Sequence, residues 1–203
     1  MNQAWELLFE GKIDEAKKLV PETFSLETCK DYSLLNLMGY IKLFEKDYKE
    51  ALLTYQNYLE VAISSQDKEN EHIGYHQLAM VYREMNDYQT ALNYIDKERE
   101  IIEKFFPEDA LKSSVNNYEQ GYLRLKLGEI AKAIMYMKQS LKQALQTDDL
   151  IAQACAYRGL GEIYSAESSE KSQENLLHAI ELFEKAGDQV GAREVKNLLN
   201  KKK

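Results

Sequence analysis

The chain has 203 residues, with 26 Lys+Arg against 34 Asp+Glu and a net charge of −8. That acidic balance, with a sequence pI near 5.1, argues against a nucleic-acid protein, because phosphate binding needs a basic face. Hydrophobic content of 44% and charged content of 30% exclude extended disorder, and 2 Pro and 9 Gly leave too few turns for a β-rich fold. The chain is therefore expected to be helical almost throughout.

At the N-terminus, Met1-Asn2-Gln3-Ala4-Trp5-Glu6 lacks the cationic-then-apolar pattern of a signal peptide. No apolar run approaches the ~20 residues of a membrane span, so no membrane partner is expected. Cys29 and Cys155 lie far apart without a CxxC or a Cys/His cluster. They read as free thiols in a reducing compartment, which points to the cytoplasm.

Along the chain, a small residue recurs with alanine twelve positions later. The pairs are Ala4 and Ala16, Gly39 and Ala51, Ala79 and Ala91, and Gly121 and Ala133. From Ala16 the alanines step by 35, 40 and 42 residues, a period that marks stacked helical hairpins. A fifth unit starts at Gly161, where Gln173 takes the matching site and Ser172 fits only with a one-residue deletion. The small pairs let two helices cross closely, with Tyr48, Tyr88 and Ile130 filling the space beside each turn.

The turns carry their own signals. Asp47 and Asp87 are predicted N-caps, Glu50 would complete a capping box with Asp47, and Gly128 can take the left-handed conformation. Links at 64–67, 106–109, 146–149 and 186–188 each stop one helix and cap the next, with Pro107 suited to a first helical turn. The expected units are 1–24, 30–65, 67–105, 108–147 and 149–186, followed by a cap helix at 188–201. That last helix would bury Val190, Val195, Leu198 and Leu199 and place Lys201–Lys203 at its negative end. The fold class is all-α, one α-α superhelical domain of five hairpins plus the cap.

A small residue, an aromatic three positions on (Tyr82, Tyr164), an acidic turn with tyrosine and then alanine together resemble the tetratricopeptide repeat (TPR). His76-Gln77-Leu78-Ala79-Met80-Val81-Tyr82 through Asp87-Tyr88 to Ala91 is the best-matching unit. Departures are Lys42 and Arg124 at the aromatic site and a degenerate fifth turn, 165–170. The period near 40 exceeds the usual 34 and is similar to that of peptide-sensing regulators of Gram-positive bacteria. Those regulators carry a further N-terminal domain, usually a helix-turn-helix. Here the first repeat starts within a few residues of Met1, so any regulatory output is expected through a partner.

Successive first helices should align equivalent positions on an inner wall. One column is Asn36, His76, Tyr118 and Arg158; the next is Tyr40, Met80, Tyr122 and Glu162; a third is Leu43, Arg83, Leu125 and Ser165. With the adjoining Gln77 and Glu119, these form the candidate peptide-binding groove, and each could instead be an ordinary packing or solvated residue. Tyrosine supplies rigid contact area and a hydroxyl, and arginine a two-pronged clamp for carboxylates. Tyr48, Tyr55, Tyr82, Tyr88 and Tyr164 are spaced as core. TPR adaptors that grip acidic chaperone tails use Lys, Asn and Arg in such columns. Only Asn36, Arg83 and Arg158 fit remotely and Glu119 and Glu162 intrude, so a peptide of cationic or amide character suits better.

Chemistry has little support. His72 and His76 have metal-ligand spacing, but no third ligand is apparent, and a groove or surface pair is the expectation. His178 should rest against its neighbours on the second helix of the fifth unit. No P-loop, nucleotide fingerprint or nucleophile elbow occurs, so neither catalytic residues nor cofactors are expected. The leading expectation is a cytoplasmic peptide- or protein-binding scaffold. Alternatives are a receptor for a short signalling peptide and, less favoured, an enzyme on a repeat scaffold. A homodimer is possible, with Trp5, Leu8 and Phe9 leaving apolar surface for a second copy.

Overall fold

The computed structural model describes residues 2–166 and 169–200, all helix, turn and link among those residues. The helices are α1 Asn2–Phe9, α2 Ile13–Lys18, α3 Tyr32–Phe44, α4 Tyr48–Ser64, α5 Lys68–Glu84, α6 Tyr88–Phe105, α7 Ala110–Lys126, α8 Ile130–Ala144, α9 Leu150–Ile163, α10 Ser169–Lys185 and α11 Gln189–Asn200. Among the described residues, five helical hairpins are followed by a closing helix. Two compact units divide the chain, Met1–Ile101 and Ile102–Lys203.

The predicted small pairs are the tightest points of the hairpins. Ala4, Ala16, Ala51, Ala79, Ala91 and Ala133 have no solvent exposure, and Gly39, Gly121 and Gly161 are buried with them. At Gly39 the ring of Tyr55 lies where a Cβ would sit, with Cζ only 2.3 Å from that position. In the fifth hairpin it is Ser172 that completes the pair. It is 1% exposed and its hydroxyl donates to the Gly161 carbonyl at 2.7 Å, whereas Gln173 is exposed. The one-residue deletion is therefore real.

Several helix-to-helix turns share one construction. A residue in the left-handed region ends the first helix, and the next residue returns its N–H to a carbonyl five positions back. Lys46 (φ 60°) and Asp47, Asn86 (φ 61°) and Asp87, and Gly128 (φ 78°) and Glu129 are examples. The Asp47 N–H donates to the Lys42 carbonyl at 2.9 Å, and the Asp87 N–H to the Tyr82 carbonyl at 2.9 Å. Asp47 and Asp87 also cap the following helix, accepting from the N–H groups of Glu50 and Thr90 at 3.3 and 3.1 Å. The expected return bond from Glu50 is not made, because the Asp47 N–H is already taken by Lys42. Gln66 (φ 58°) and Asp67 build the link between α4 and α5 in the same way.

In the first unit, α1 and α2 are short and close on Ala4, Leu8, Ala16, Leu37 and Ile41. Residues 19–31 form an irregular segment pinned by Asn57, whose side-chain amide donates to the Leu26 and Cys29 carbonyls at 2.7 and 3.2 Å. A second cluster joins Leu35, Ala51, Tyr55, Tyr58, Leu78 and Val81. In the second unit one cluster gathers Ala133, Met137, Leu160 and Ile163, and another packs α11 through Ala192 and Val195 onto Leu176, Ala179 and Phe183.

Four local expectations change. Val190 is 62% exposed, so α11 buries Ala192 and Val195 on its inner side, with Leu198 and Leu199 only partly covered. Pro107 stays in the link, because Asp109 two residues later is the N-cap of α7. Leu8 is fully buried and Trp5 half-buried against Tyr40, which leaves Phe9 as the exposed member of that trio. His178 is exposed but rests on the Tyr157 ring of α9 at 5.1 Å, a neighbour from the other helix of its hairpin. Glu167 and Ser168 of the degenerate turn, and the terminal Lys201–Lys203, lie outside the described residues.

Two substitutions test the hairpin geometry. Gly39→Ala is expected to lower stability by about 1–3 kcal/mol, since overpacking against a buried ring outweighs a helix-propensity gain of about 1 kcal/mol. A urea-unfolding midpoint that stays level or rises would show that Tyr55 moves aside freely. Lys46→Gly should raise stability by about 0.5–1 kcal/mol by relieving the left-handed turn, read from the same titration.

Candidate functional site

Hairpin packing uses the small-residue stripe, so the first helices present their remaining faces differently in each unit. In the first unit most predicted groove positions are drawn inward. Tyr40 meets Trp5 edge-on at 5.3 Å and Tyr55 at 6.5 Å, serving the joint of α1, α3 and α4. Gln77 and Met80 are buried, and Arg83 is half-buried with its guanidinium 3.7 Å from Glu84. Asn36 is half-buried, and its backbone carbonyl accepts from the Tyr55 hydroxyl at 3.5 Å. Two buried amide oxygens, Oδ1 of Asn36 and Oε1 of Gln77, find no donor among the described residues.

The two histidines on α5 share a partner that spacing did not reveal. Glu98 on α6 is 2% exposed, and both its carboxylate oxygens lie 3.2 Å from His76 Nδ1. His72 Nδ1 approaches the same carboxylate at 3.8 Å. A signal for Glu98 exists in the sequence: it interrupts the apolar stripe of α6 between the buried Ile95 and Ile102. A carboxylate on such a stripe demands a buried partner, because an unpaired charge there is costly. Among the described residues no group of three or more side chains is arranged to hold a metal ion.

The second unit brings its predicted residues together. Tyr118 and Tyr122, one turn apart on α7, stack at 6.4 Å with their planes 18° apart. On α9, Arg158 Nε donates to Glu162 at 2.9 Å, and Nη1 donates to Glu194 of α11 at 2.8 Å. Lys126 Nζ lies 5.0 Å over the Tyr122 ring. Burial, then the Glu119 charge, push the Tyr118 phenol well above its ordinary range, while Arg158 works the other way. Burial disfavours the charged guanidinium, but the hydrogen bond it donates to Glu162 and the nearby Tyr118 carry its pKa upward on balance. Glu119 itself is buried.

Glu194 and Lys126 were not among the sequence candidates. Glu194 follows Arg158 by 36 residues rather than 40, so extending the column by its period misses it. Of the third column, Leu43 and Leu125 pack at the cluster edges and Ser165 is exposed. The five tyrosines read as structural are placed accordingly in part: Tyr55 is fully buried, Tyr82 stacks on Tyr94 at 5.5 Å, and Tyr48 and Tyr164 pack on core clusters. The Tyr88 hydroxyl donates to Asn86 at the turn at 2.6 Å.

Comparison with known proteins bears on the fold. No family model and no curated protein matches the chain. Solved structures do. It is similar to BtubC (BKLC) from P. vanneervenii, with a TM-score of 0.66 and 16% identity over 84% of this chain and 78% of that one. It is similar to the apo form of RapI, TM-score 0.65 and 13% identity, where 99% of this chain spans only 59% of that chain. The nearly identical TPR-like repeats of a kinesin light chain from Podosopora anserina align with TM-score 0.64 and 15% identity, covering 91% and 93%. At these identities the likeness shows the fold: an all-α, TPR-like repeat of the α-α superhelical class. No helix among the described residues is long and apolar enough to cross a membrane.

Cys155, half-buried beside Arg158, has its thiol pushed up to about 11, by burial first and against the pull of Arg158. At pH 8 its thiolate fraction should be on the order of a hundredfold below that of a free cysteine. Alkylation of the Cys29→Ser variant by iodoacetamide, followed by mass spectrometry, should therefore be slow at pH 8 and climb as pH approaches 11. Rapid modification at pH 8 would show that the thiol is open to water.

Proposed function

We propose that this chain is a non-catalytic scaffold that binds a peptide or protein segment on the outward faces of its first helices, acting in the cytoplasm through its partners. The observation that carries this is the wall of α7, α9 and α11. There Tyr118, Tyr122, Arg158 and Glu162 lie half-buried, with Tyr118 also packed against the cluster of Met137 and Leu160. Stacked tyrosines and a fixed guanidinium are the equipment of recognition rather than of bond-making, and burial keeps the neighbouring Cys155 thiol protonated.

Support from the fold is general: TPR-like repeats present such faces by construction. Of the groove residues of the first unit, Asn36, Tyr40, His76 and Arg83 are half-buried and enter as a second contact region, whereas Gln77 and Met80 are buried. A narrower form of the same proposal is a receptor for a short signalling peptide whose output passes to a partner. The long repeat period of 40–42 residues favours it.

Capture from a native lysate with the wild-type chain and with Tyr118→Ala/Arg158→Ala tests the assignment. Both chains are first matched by circular dichroism and thermal melting. The double variant is expected to lose at least tenfold of the retained material, which corresponds to about 1.4 kcal/mol. Equal retention of the same proteins or peptides by a folded variant would place the binding surface elsewhere.

A further inference from the structure

The outer faces of α8 and α10, the second helices of the last two hairpins, carry opposite charge. In a chain of net charge −8, α8 contains three lysines and no carboxylate. Its exposed side shows Lys132, Lys138 and Lys142 around Met135, which is 46% exposed. On α10 the exposed side shows Glu170, Glu174 and Glu181 around Leu177, which is 49% exposed. Lys132 reaches Glu129 at the start of its own helix, at 3.0 Å. Lys138, Lys142, Glu170, Glu174 and Glu181 make no ion pair among the described residues.

The two rows are also in step. Ala133 and Ser172 are equivalent in their hairpins, 39 positions apart. On that offset Glu181 stands at the height of Lys142, Glu170 falls one residue from Lys132, and Glu174 lies one helical turn before Lys138. Lys171, beside the start of the acidic row, is held over the Tyr164 ring at 5.7 Å, and Glu184 is paired with Lys196 at 2.5 Å. Because α9 packs on both helices, α8 and α10 flank it and run in the same direction. Within one chain the rows therefore point outward together and cannot meet.

We infer that a second copy of this chain covers this face, across a two-fold axis that runs along the helices between α8 and α10. That operation preserves height and exchanges the two helices, so each lysine row lies on the glutamate row of the other copy. Lys142 then meets the partner's Glu181 and Lys132 the partner's Glu170, with Met135 and the partner's Leu177 as apolar contacts between them. An unrelated acidic segment would answer the lysines and leave the glutamates uncovered, whereas a second copy answers both rows at once. The contact uses second helices only and is independent of the peptide-binding wall of α7, α9 and α11.

Sedimentation equilibrium of the full chain between roughly 1 and 200 µM tests this pairing, and the average mass is expected to rise from one chain to two. Lys138→Glu/Lys142→Glu and Glu174→Lys/Glu181→Lys are each first matched to the parent chain by circular dichroism. Either variant alone should weaken the dimer by about tenfold or more, because like charges then face each other at two places. Mixed in equal amounts, the two variants should form a heterodimer about as tight as the parent dimer, since every row again meets its complement. A parent chain that keeps one-chain mass throughout overturns the inference. So does a dimer that neither reversal weakens, which places the interface elsewhere, and so does a mixture that stays monomeric.

Discussion

Everything in this chain depends on how closely the two helices of a hairpin can approach. A small residue on one helix and an alanine, or Ser172, on the other remove the side-chain bulk that would otherwise hold the backbones apart. At Gly39 that closeness is taken up by the ring of Tyr55, so the smallest residue of the pair makes room for one of the largest buried side chains. The contact also sets orientation. Once the small stripe faces its partner helix, the opposite faces of α3, α5, α7, α9 and α11 are assigned in advance.

The turns make that arrangement repeatable. A left-handed residue followed by aspartate ends one helix and starts the next within two positions, because the aspartate's backbone N–H closes the old helix while its side chain caps the new one. Asp47 shows how economical this is: its N–H goes to the Lys42 carbonyl rather than to a capping box with Glu50. The motif tolerates lysine, glutamine and asparagine in the left-handed position as well as glycine. The packing of the hairpin therefore outweighs the local backbone preference.

The same columns meet different fates in the two units. His76 on α5 is half-buried and bound to the buried Glu98 of its own hairpin, so a position that spacing assigns to a groove is tied to the interior. Arg158 on α9, the equivalent position two repeats on, is also half-buried but reaches sideways to the exposed Glu194 on the closing helix. The difference lies in the partners, not in the register. A carboxylate on the buried stripe of α6 draws the histidine in. A carboxylate on the exposed face of α11 holds the arginine out.

Period, helix count, N-caps and the small-residue pairs were all legible in the sequence, because each is a local or strictly repeated property of neighbouring residues. Even the deletion in the fifth hairpin could be framed there as a choice between Ser172 and Gln173. What the sequence could not decide was which charged groups would meet across helices. Glu98 and Glu194 lie 22 and 36 residues from their partners, separations that follow no period. Their pairing depends on where side chains of different length end once the helices are packed. The candidate groove was visible as columns of residue types, but which of its charges pair was not. Tertiary structure supplied those pairings by placing two carboxylates around one guanidinium, a matter of distances between helices that no pattern along the chain encodes.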